Sequence, residues 1–196
     1  MKTITIEIPE FLTHVVLSKK RRAKYKILVG GKKVISNSRS VGKEKKWKIN
    51  GQALYSGMNY HLRSKVIKEM KKYLYEYIRP IKKIDFYPLS IELIIHDVEG
   101  IYNKDKELVS SWDLGNKEFI WMKCFEDALC GNVDFYSVDS TKEIGKKIFL
   151  PLRDEYPAKI KDDSVQYITK RICTFKKINK MEDRKLVFII KQTQDD

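Results

Sequence analysis

Cysteine is scarce in this 196-residue chain, which contains only Cys124, Cys130 and Cys173. An odd number of cysteines with no Cys-x-x-Cys pair argues against a disulfide framework and against a zinc site. We therefore expect three reduced thiols that are packed in the interior. Histidine is equally sparse, and the three scattered histidines are expected to have core or surface roles rather than to bind a metal.

Long hydrophobic runs are also absent from the chain. No stretch approaches the roughly 20 apolar residues that a membrane-spanning helix needs. The first residues, Met1 to Glu7, alternate polar and apolar side chains as a strand does, unlike a signal peptide. The sequence therefore predicts a cytoplasmic protein with no membrane partner.

Acidic residues are outnumbered by basic ones. Forty lysines and arginines against 26 aspartates and glutamates give a formal net charge of +14. Such an excess predicts a polyanionic partner. With 42% hydrophobic and 11% aromatic residues, the chain can bury a substantial core, and we expect a single domain over residues 1–196.

The positive charge is concentrated in a basic region, residues 17–50. Thirteen lysines and arginines lie between positions 19 and 48, where Glu44 is the single acid. A solvated arm that keeps the protein soluble is one interpretation, but the length of the nearly acid-free run favours contact with phosphates. The side chains expected to bind DNA are Lys19, Lys20, Arg21, Arg22, Lys24, Lys43, Lys45 and Lys46.

Hydrophobic periodicity predicts the order of the secondary-structure elements. An amphipathic helix is predicted from about Gly57 to Arg79, before Pro80, and a second helix from Asn116 to Leu129. The predicted strands cover residues 3–8, 25–29, 89–96, 164–172 and 185–191, and residues 97–111 are predicted to be a loop. This order predicts an α+β fold, with a mixed β-sheet packed against two main helices. A long insertion, residues 131–160, separates the second helix from the following strand.

Two short acidic segments interrupt the basic chain: Asp113-Leu-Gly-Asn116 and Lys161-Asp162-Asp163-Ser164. Between them, Lys123 and Asp127 fall within about 20° of Asn116 around the axis of the predicted helix. Carboxylates repel phosphates, so acids on so basic a chain need a reason, and a bound divalent cation supplies one. Alternatively, Asp113 caps the helix and the second acidic segment is an exposed turn.

The second acidic segment is predicted to open a strand, which would point the side chains of Asp162 and Asp163 to opposite faces. Only one of them is then expected in the inner shell of a metal, and we choose Asp163. Phosphodiester hydrolysis needs an activated water and relief of charge on the phosphate, both of which Mg²⁺ can supply. Lys123 is expected to stabilise the phosphate as a fixed positive charge.

The ordered motifs resemble those of RusA-type Holliday-junction endonucleases, the crossover junction endodeoxyribonucleases. The similarity lies mainly in residues 89–175, where a strand, Asp-x-x-Asn, Lys-x-x-x-Asp-Ala-Leu on a helix and Lys-Asp-Asp-Ser follow one another. The resemblance implies a RusA-like fold and a homodimeric, Mg²⁺-dependent endonuclease in which Mn²⁺ can replace Mg²⁺. Such an enzyme introduces paired nicks in four-way or related branched DNA during recombination or repair. The resemblance also implies a phage or prophage product, which would work in the host cytoplasm.

Site residues follow from the same resemblance, position by position. Asp113, Asp163 and Lys123 are implied as catalytic residues. The implied metal ligands are Asp113, Asp163, Asp162 and Asp127. Asn116 matches the asparagine of the motif and, with Lys117, is expected to contact DNA.

Departures from the family pattern leave other functions open. Gly115 stands where the family has a second aspartate, which favours a nucleic-acid-binding protein whose catalysis was lost, whereas the Asp162–Asp163 pair favours catalysis. A basic virion-associated protein is a third interpretation. The insertion replaces a short connection, and its apolar residues Ile148, Phe149 and Leu150 are expected to pack locally rather than to form a dimer interface.

Overall fold

The structure is a computed structural model that describes residues 2–9, 12–18, 24–36, 45–47, 60–97, 100–102, 108–111 and 114–193. In these ranges the chain has the predicted α+β fold. The strands are β1 (Thr3–Pro9), β2 (Leu12–Ser18), β3 (Lys24–Val29), β4 (Lys32–Ser36), β5 (Lys45–Trp47), β6 (Leu89–Asp97), β7 (Gly100–Tyr102), β8 (Leu108–Ser111), β9 (Phe135–Asp139), β10 (Lys147–Pro151), β11 (Ile168–Lys177) and β12 (Lys185–Gln192). The helices are α1 (Tyr60–Ile78) and α2 (Leu114–Leu129), and a short 3-10 helix covers Met181–Asp183.

A four-stranded mixed sheet forms the centre of the described structure, in the order β1-β12-β6-β11. Strand β11 runs parallel to β6, whereas β12 is antiparallel to both β6 and β1. Alternate residues of β6, from Leu89 to Ile95, are fully buried on one face, as the strand period of two requires. The predicted strands in β1, β6 and β12 are confirmed.

The two helices complete the core on that face of the sheet. Helix α1 buries Val66, Met70, Leu74 and Ile78, which recur every four residues and form one continuous stripe. In α2, the ring of Phe125 stacks on Phe188 of β12 with their centroids 3.7 Å apart. Each such fully buried side chain contributes about 2–3 kcal/mol of hydrophobic free energy, so this packing fixes the position of α2 on the sheet.

The basic region contains a second sheet, in the order β4-β3-β2-β5. The predicted strand over residues 25–29 is confirmed by β3, and the predicted turn follows it at residues 30–31. Ile27 and Val29 of β3 belong to the same hydrophobic core as the central sheet. The described part of the basic region is therefore attached to the core through β3.

Two predicted boundaries are wrong. Residues 97–111 were predicted to be a loop, but β7 and β8 pair there as an antiparallel hairpin. The strand predicted from Ser164 begins instead at Ile168, because the Ser164 carbonyl accepts hydrogen bonds from the amides of Tyr167 and Ile168, which closes a turn. The polar sequence of residues 97–111 gave no strand signal for β7 and β8, and the turn at Ser164 occupies the positions where the start of β11 was predicted.

The insertion has a structure of its own, since β9 and β10 pair as an antiparallel hairpin. The expectation that its apolar side chains pack locally is wrong: Ile148 is 46% exposed, Phe149 66% and Leu150 39%. Neighbouring residues of a strand point to opposite faces, and the described residues leave apolar side chains exposed on both faces of this hairpin. In the described part of the chain, neither helix is long and apolar enough to cross a membrane.

Candidate metal centre

The candidate site lies at the C-terminal end of α2. The buried side of this helix, including Trp121, Phe125 and Leu129, packs into the core, and this leaves Lys123 and Asp127 on the opposite side. These two residues are one turn apart, and the Lys123 Nζ lies 2.9 Å from Asp127 Oδ1. The helical spacing in the sequence predicted this pair.

Lys123 also joins the helix to the second acidic segment. Its Nζ donates a hydrogen bond to Asp163 Oδ2, although the two residues are 40 positions apart. The neighbouring Asp162 is held in the same turn, where its Oδ1 accepts a hydrogen bond of 2.8 Å from the Asp163 amide. The structure thus brings together Lys123, Asp127, Asp162 and Asp163, all of which the sequence singled out.

A group of three side chains here could hold a metal ion. One ligand atom each from Cys130, Asp162 and Asp163 lies within 4.8 Å of the other two. Asp162 and Asp163 lie outside a strand, in the bent segment before β11 that we call the acidic turn (residues 161–164), so the expectation that they point to opposite faces is wrong. Both carboxylates, together with the Cys130 thiol, could hold a cation.

The charges of the site stabilise one another. The hydrogen bond from Lys123 lowers the pKa of Asp163 and outweighs the effect of burial. Burial alone would lower the pKa of Lys123, but hydrogen bonds to Asp163 and Asp127 outweigh it and raise that pKa above its ordinary value. Lys123 and Asp163 therefore form a fully ionised pair near neutral pH.

The third member of the group is a buried thiol. Cys130 is 2% exposed, and burial raises its pKa to about 12, with the charges of Asp163 and Asp162 acting in the same direction. The thiol is therefore protonated near neutral pH when no cation is bound.

Asp127 is engaged by two lysines and lies outside this three-residue group. Its Oδ1 faces Lys123, and its Oδ2 lies 2.6 Å from the Nζ of Lys71 on α1. Lys71 also donates a hydrogen bond of 3.2 Å to the Asn132 carbonyl. This arrangement fixes the Asp127 carboxylate, which in turn positions the Lys123 ammonium.

An ion pair between the buried Glu126 and the partly exposed Arg171 supports the turn that carries Asp163. The Nε of Arg171 on β11 donates to Glu126 Oε1 at 2.5 Å, and its Nη2 lies 3.2 Å from Oε2. The same Nη2 donates a hydrogen bond of 3.3 Å to the Asp163 carbonyl. Burial raises the pKa of Glu126, which Arg171 opposes. Arg171 therefore links the turn to both α2 and the central sheet.

The return of the insertion to α2 decides where the acidic turn lies. The amides of Lys159 and Ile160 donate hydrogen bonds to the carbonyl of Leu129, at 2.7 Å and 3.3 Å. The hydroxyl of Tyr75 on α1 donates a 2.7 Å hydrogen bond to the Pro157 carbonyl. Residues 157–160 are thus bound to the end of α2, and Asp162 and Asp163 follow directly beside Cys130.

The other predicted site residues are placed only in part. Asp113, Lys19, Lys20, Arg21, Arg22 and Lys43 lie outside the described residues. Asn116 and Lys117 lie in the first turn of α2, and only their main chain is described. Strand β2 pairs with β3 on one side and with β5 on the other. Lys24 and Lys45 therefore flank the end of β2, with Lys46 next along β5.

Sequence reasoning missed Cys130, Lys71, Glu126 and Arg171. Cys130 follows Asp127 by three residues, which would have placed it beside the site. It was not considered as a metal ligand because the chain has no Cys-x-x-Cys pair. Arg171 gives no local signal, because its contact with Glu126 depends on how β11 lies in the sheet.

Comparisons with known proteins assign no family to the chain. No protein-family model matches the chain, and neither a curated protein nor a solved structure matches it. A function is therefore inferred from the residues of the chain and their arrangement.

Proposed function

We propose that this protein is a metal-dependent endonuclease that cuts four-way DNA junctions or related branched DNA, as RusA-type enzymes do. The observation that carries the proposal is the meeting of Lys123 with Asp162 and Asp163. These residues come from a helix and from a turn beyond a long insertion, and the RusA resemblance implies that they act together. Ligand atoms within 4.8 Å of one another and an adjacent ammonium suit phosphodiester hydrolysis.

Asp163 and Asp162 would hold Mg²⁺, or Mn²⁺ in its place, because these cations prefer oxygen ligands. The cation would supply an activated water and relieve charge on the phosphate. Each carboxylate has two oxygens, so Asp163 can contact Lys123 through one and a cation through the other. Asp113 stays a predicted ligand and lies outside the described residues.

Lys123 would act on the phosphate itself. Its side chain is 46% exposed, so its ammonium can reach a DNA strand. Asp127 holds it from the other side, and Lys71 holds Asp127. A cation that is fixed before the reaction stabilises developing charge at little reorganisation cost.

The basic region is suited to bind the DNA on which this site acts. Its second sheet reaches the core beside α1, where Gly30 lies against the ring of Tyr73. The same helix carries Lys71, which contacts Asp127. A homodimer would present two such sites to a two-fold symmetric junction, which accounts for paired nicks.

The test is cleavage of a labelled, immobile four-way junction beside a linear duplex of the same sequence, with Mg²⁺ or with EDTA. We expect metal-dependent paired nicks in the junction. Asp163→Asn should slow nicking by about 100-fold or more, as should Lys123→Met. Asp154→Asn, at an exposed position outside the group of proposed ligands, is the matched control and should cut at the normal rate.

Other outcomes would assign a different function. An Asp163→Asn variant that cuts as fast as the unmodified chain would refute the endonuclease proposal. Junction binding without nicks would indicate a nucleic-acid-binding protein whose catalysis was lost at Gly115. Tight binding with neither junction preference nor metal dependence would indicate a virion-associated protein.

A further inference from the structure

Cys130 has properties that an all-oxygen magnesium site does not require. Its side chain is buried, its thiol forms no hydrogen bond with the described residues, and its sulfur lies within 4.8 Å of carboxylate oxygens from Asp162 and Asp163. A buried polar group ordinarily finds a partner. The partner that one sulfur and two carboxylate oxygens share is a cation.

The donor set selects the class of cation. Mg²⁺ takes oxygen ligands, whereas Zn²⁺ and Co²⁺ bind both thiolate and carboxylate. Zinc bonds of about 2.3 Å to sulfur and about 2.1 Å to oxygen place the ligands of a tetrahedral site about 3.6 Å apart. The ligand atoms of the group lie up to 4.8 Å apart, so these separations would have to shorten by about 1 Å to bind zinc. Side-chain rotation in the turn that carries Asp162 and Asp163 can provide that movement.

We propose that Cys130, Asp162 and Asp163 bind a thiophilic divalent cation, Zn²⁺, and leave a fourth position open for water or a phosphate oxygen. Three protein ligands with one open position are the arrangement of catalytic rather than structural zinc sites. The inference rests on the metal group of the proposed function, but it requires no nuclease activity.

Binding would balance the charges of the site. The Cys130 S–H bond breaks, its electron pair forms the bond from sulfur to the cation, and the proton passes to solvent. A thiolate and two carboxylates then carry three negative charges. The cation supplies two positive charges and Lys123, already paired with Asp163, supplies the third.

Co²⁺ is the probe for this site, because a bond between thiolate and Co²⁺ gives a charge-transfer absorption band in the near ultraviolet. Titration of the reduced, full-length protein with Co²⁺ should produce this band and saturate at about one Co²⁺ per chain. An equimolar amount of Zn²⁺ should abolish it. A tenfold or greater loss of Co²⁺ affinity is expected for Asp163→Asn, because even the loss of a residue that only orients a metal ligand typically costs about 10- to 100-fold.

The other two cysteines provide matched controls. Cys130→Ser should remove the band, whereas Cys124→Ser and Cys173→Ser should retain it. A band that persists in Cys130→Ser, or no band in the unmodified protein, would overturn the inference. A second measurement needs no variant: Zn²⁺ should slow alkylation of Cys130 in the unmodified protein, as read by peptide mass spectrometry, and equal alkylation with and without Zn²⁺ would also overturn it.

The two proposals can fail separately. A charge-transfer band without junction cleavage would refute the endonuclease and keep the zinc site. Mg²⁺-dependent nicking without the band would keep the endonuclease and refute the zinc site. If both hold, Zn²⁺ should slow Mg²⁺-dependent nicking in proportion to its occupancy, because both cations need Asp162 and Asp163.

Discussion

Lys123 is a single residue that connects helix α2 to the acidic turn and pairs with a carboxylate on each. On one side it contacts Asp127, one helical turn away, and on the other it contacts Asp163. The first contact follows from helical spacing, whereas the second exists only because the insertion returns to the end of α2. Lysines with fixed acidic partners recur on α1, where Lys68 and Lys72 both contact Asp134.

The carboxyl group of Asp134 predicts how the free energy of unfolding depends on pH. Burial alone would raise its pKa, but hydrogen bonds from Lys68, the Phe135 amide and Lys72 outweigh burial and hold the pKa below the ordinary 3.8. A carboxyl whose pKa is lowered in the folded state stabilises the fold above its unfolded pKa, and this contribution is lost as pH falls through the folded value. The free energy of unfolding should therefore decline as the pH drops below 3.8.

Asp134→Asn isolates this effect. The variant should be about 1–2 kcal/mol less stable than the unmodified protein near neutral pH, since charged hydrogen bonds are lost. The difference should shrink as the pH falls further below 3.8 and the native carboxyl becomes protonated. Urea unfolding, followed by tryptophan fluorescence, measures both values. A difference that stays constant across this range would contradict the assigned ion pairs.

At the scale of single elements, the end of α2 is tightly constrained. Gly131 has a φ of +71°, and its amide donates a 3.0 Å hydrogen bond to the Ala128 carbonyl as the helix ends. A Cβ added at Gly131 would lie 2.4 Å from the main-chain oxygen of Tyr156. The returning segment of the insertion, at residues 156–158, therefore packs so closely on the helix end that no side chain fits between them.

A pair of glycine substitutions tests this packing. Gly131→Ala should lower the free energy of unfolding by about 3 kcal/mol or more, because it combines a strained left-handed backbone with a clash. Gly145→Ala shares the positive φ, at +80°, but its Cβ would meet no atom within 4 Å, so it should cost only about 1 kcal/mol. Chemical unfolding of the two variants gives the comparison, and equal losses would show that the close approach at Tyr156 does not exist.

The hairpin of β9 and β10 differs from that packed segment. Its residues are largely exposed, while the amide of Leu152 donates a 2.9 Å hydrogen bond to the Asp134 carbonyl where its two ends meet. The hairpin therefore projects from a closed base. A two-stranded hairpin has little stability of its own, so this base is what anchors it.

At the scale of the whole molecule, the net charge of +14 predicts strong salt dependence of any DNA binding. Each phosphate neutralised on duplex DNA contributes a slope of about −0.9 to log K against log salt. Replacing Lys45 and Lys46 by glutamine should make the slope less steep by about 1.8 if both contact phosphates. The matched control replaces the exposed Lys82 and Lys83 and should leave the slope unchanged.

Fluorescence anisotropy with a labelled junction over a range of salt concentrations measures these slopes. Equal slopes for the unmodified protein and the Lys45, Lys46 variant would refute phosphate contact by this part of the basic region. A smaller slope in the Lys82, Lys83 control would instead place the DNA near the end of α1.

The sequence by itself determined the order of the main elements and the pair that Lys123 forms with Asp127. Apolar residues repeat every three or four positions in a helix and every two in a strand, so this information lies in neighbouring residues. Only the tertiary structure decided that Asp163 meets Lys123, that Cys130 joins the two acids, and that the hairpin of the insertion projects outward. Those contacts link residues far apart in the chain, and they depend on how the helices pack on the sheet and where the insertion returns.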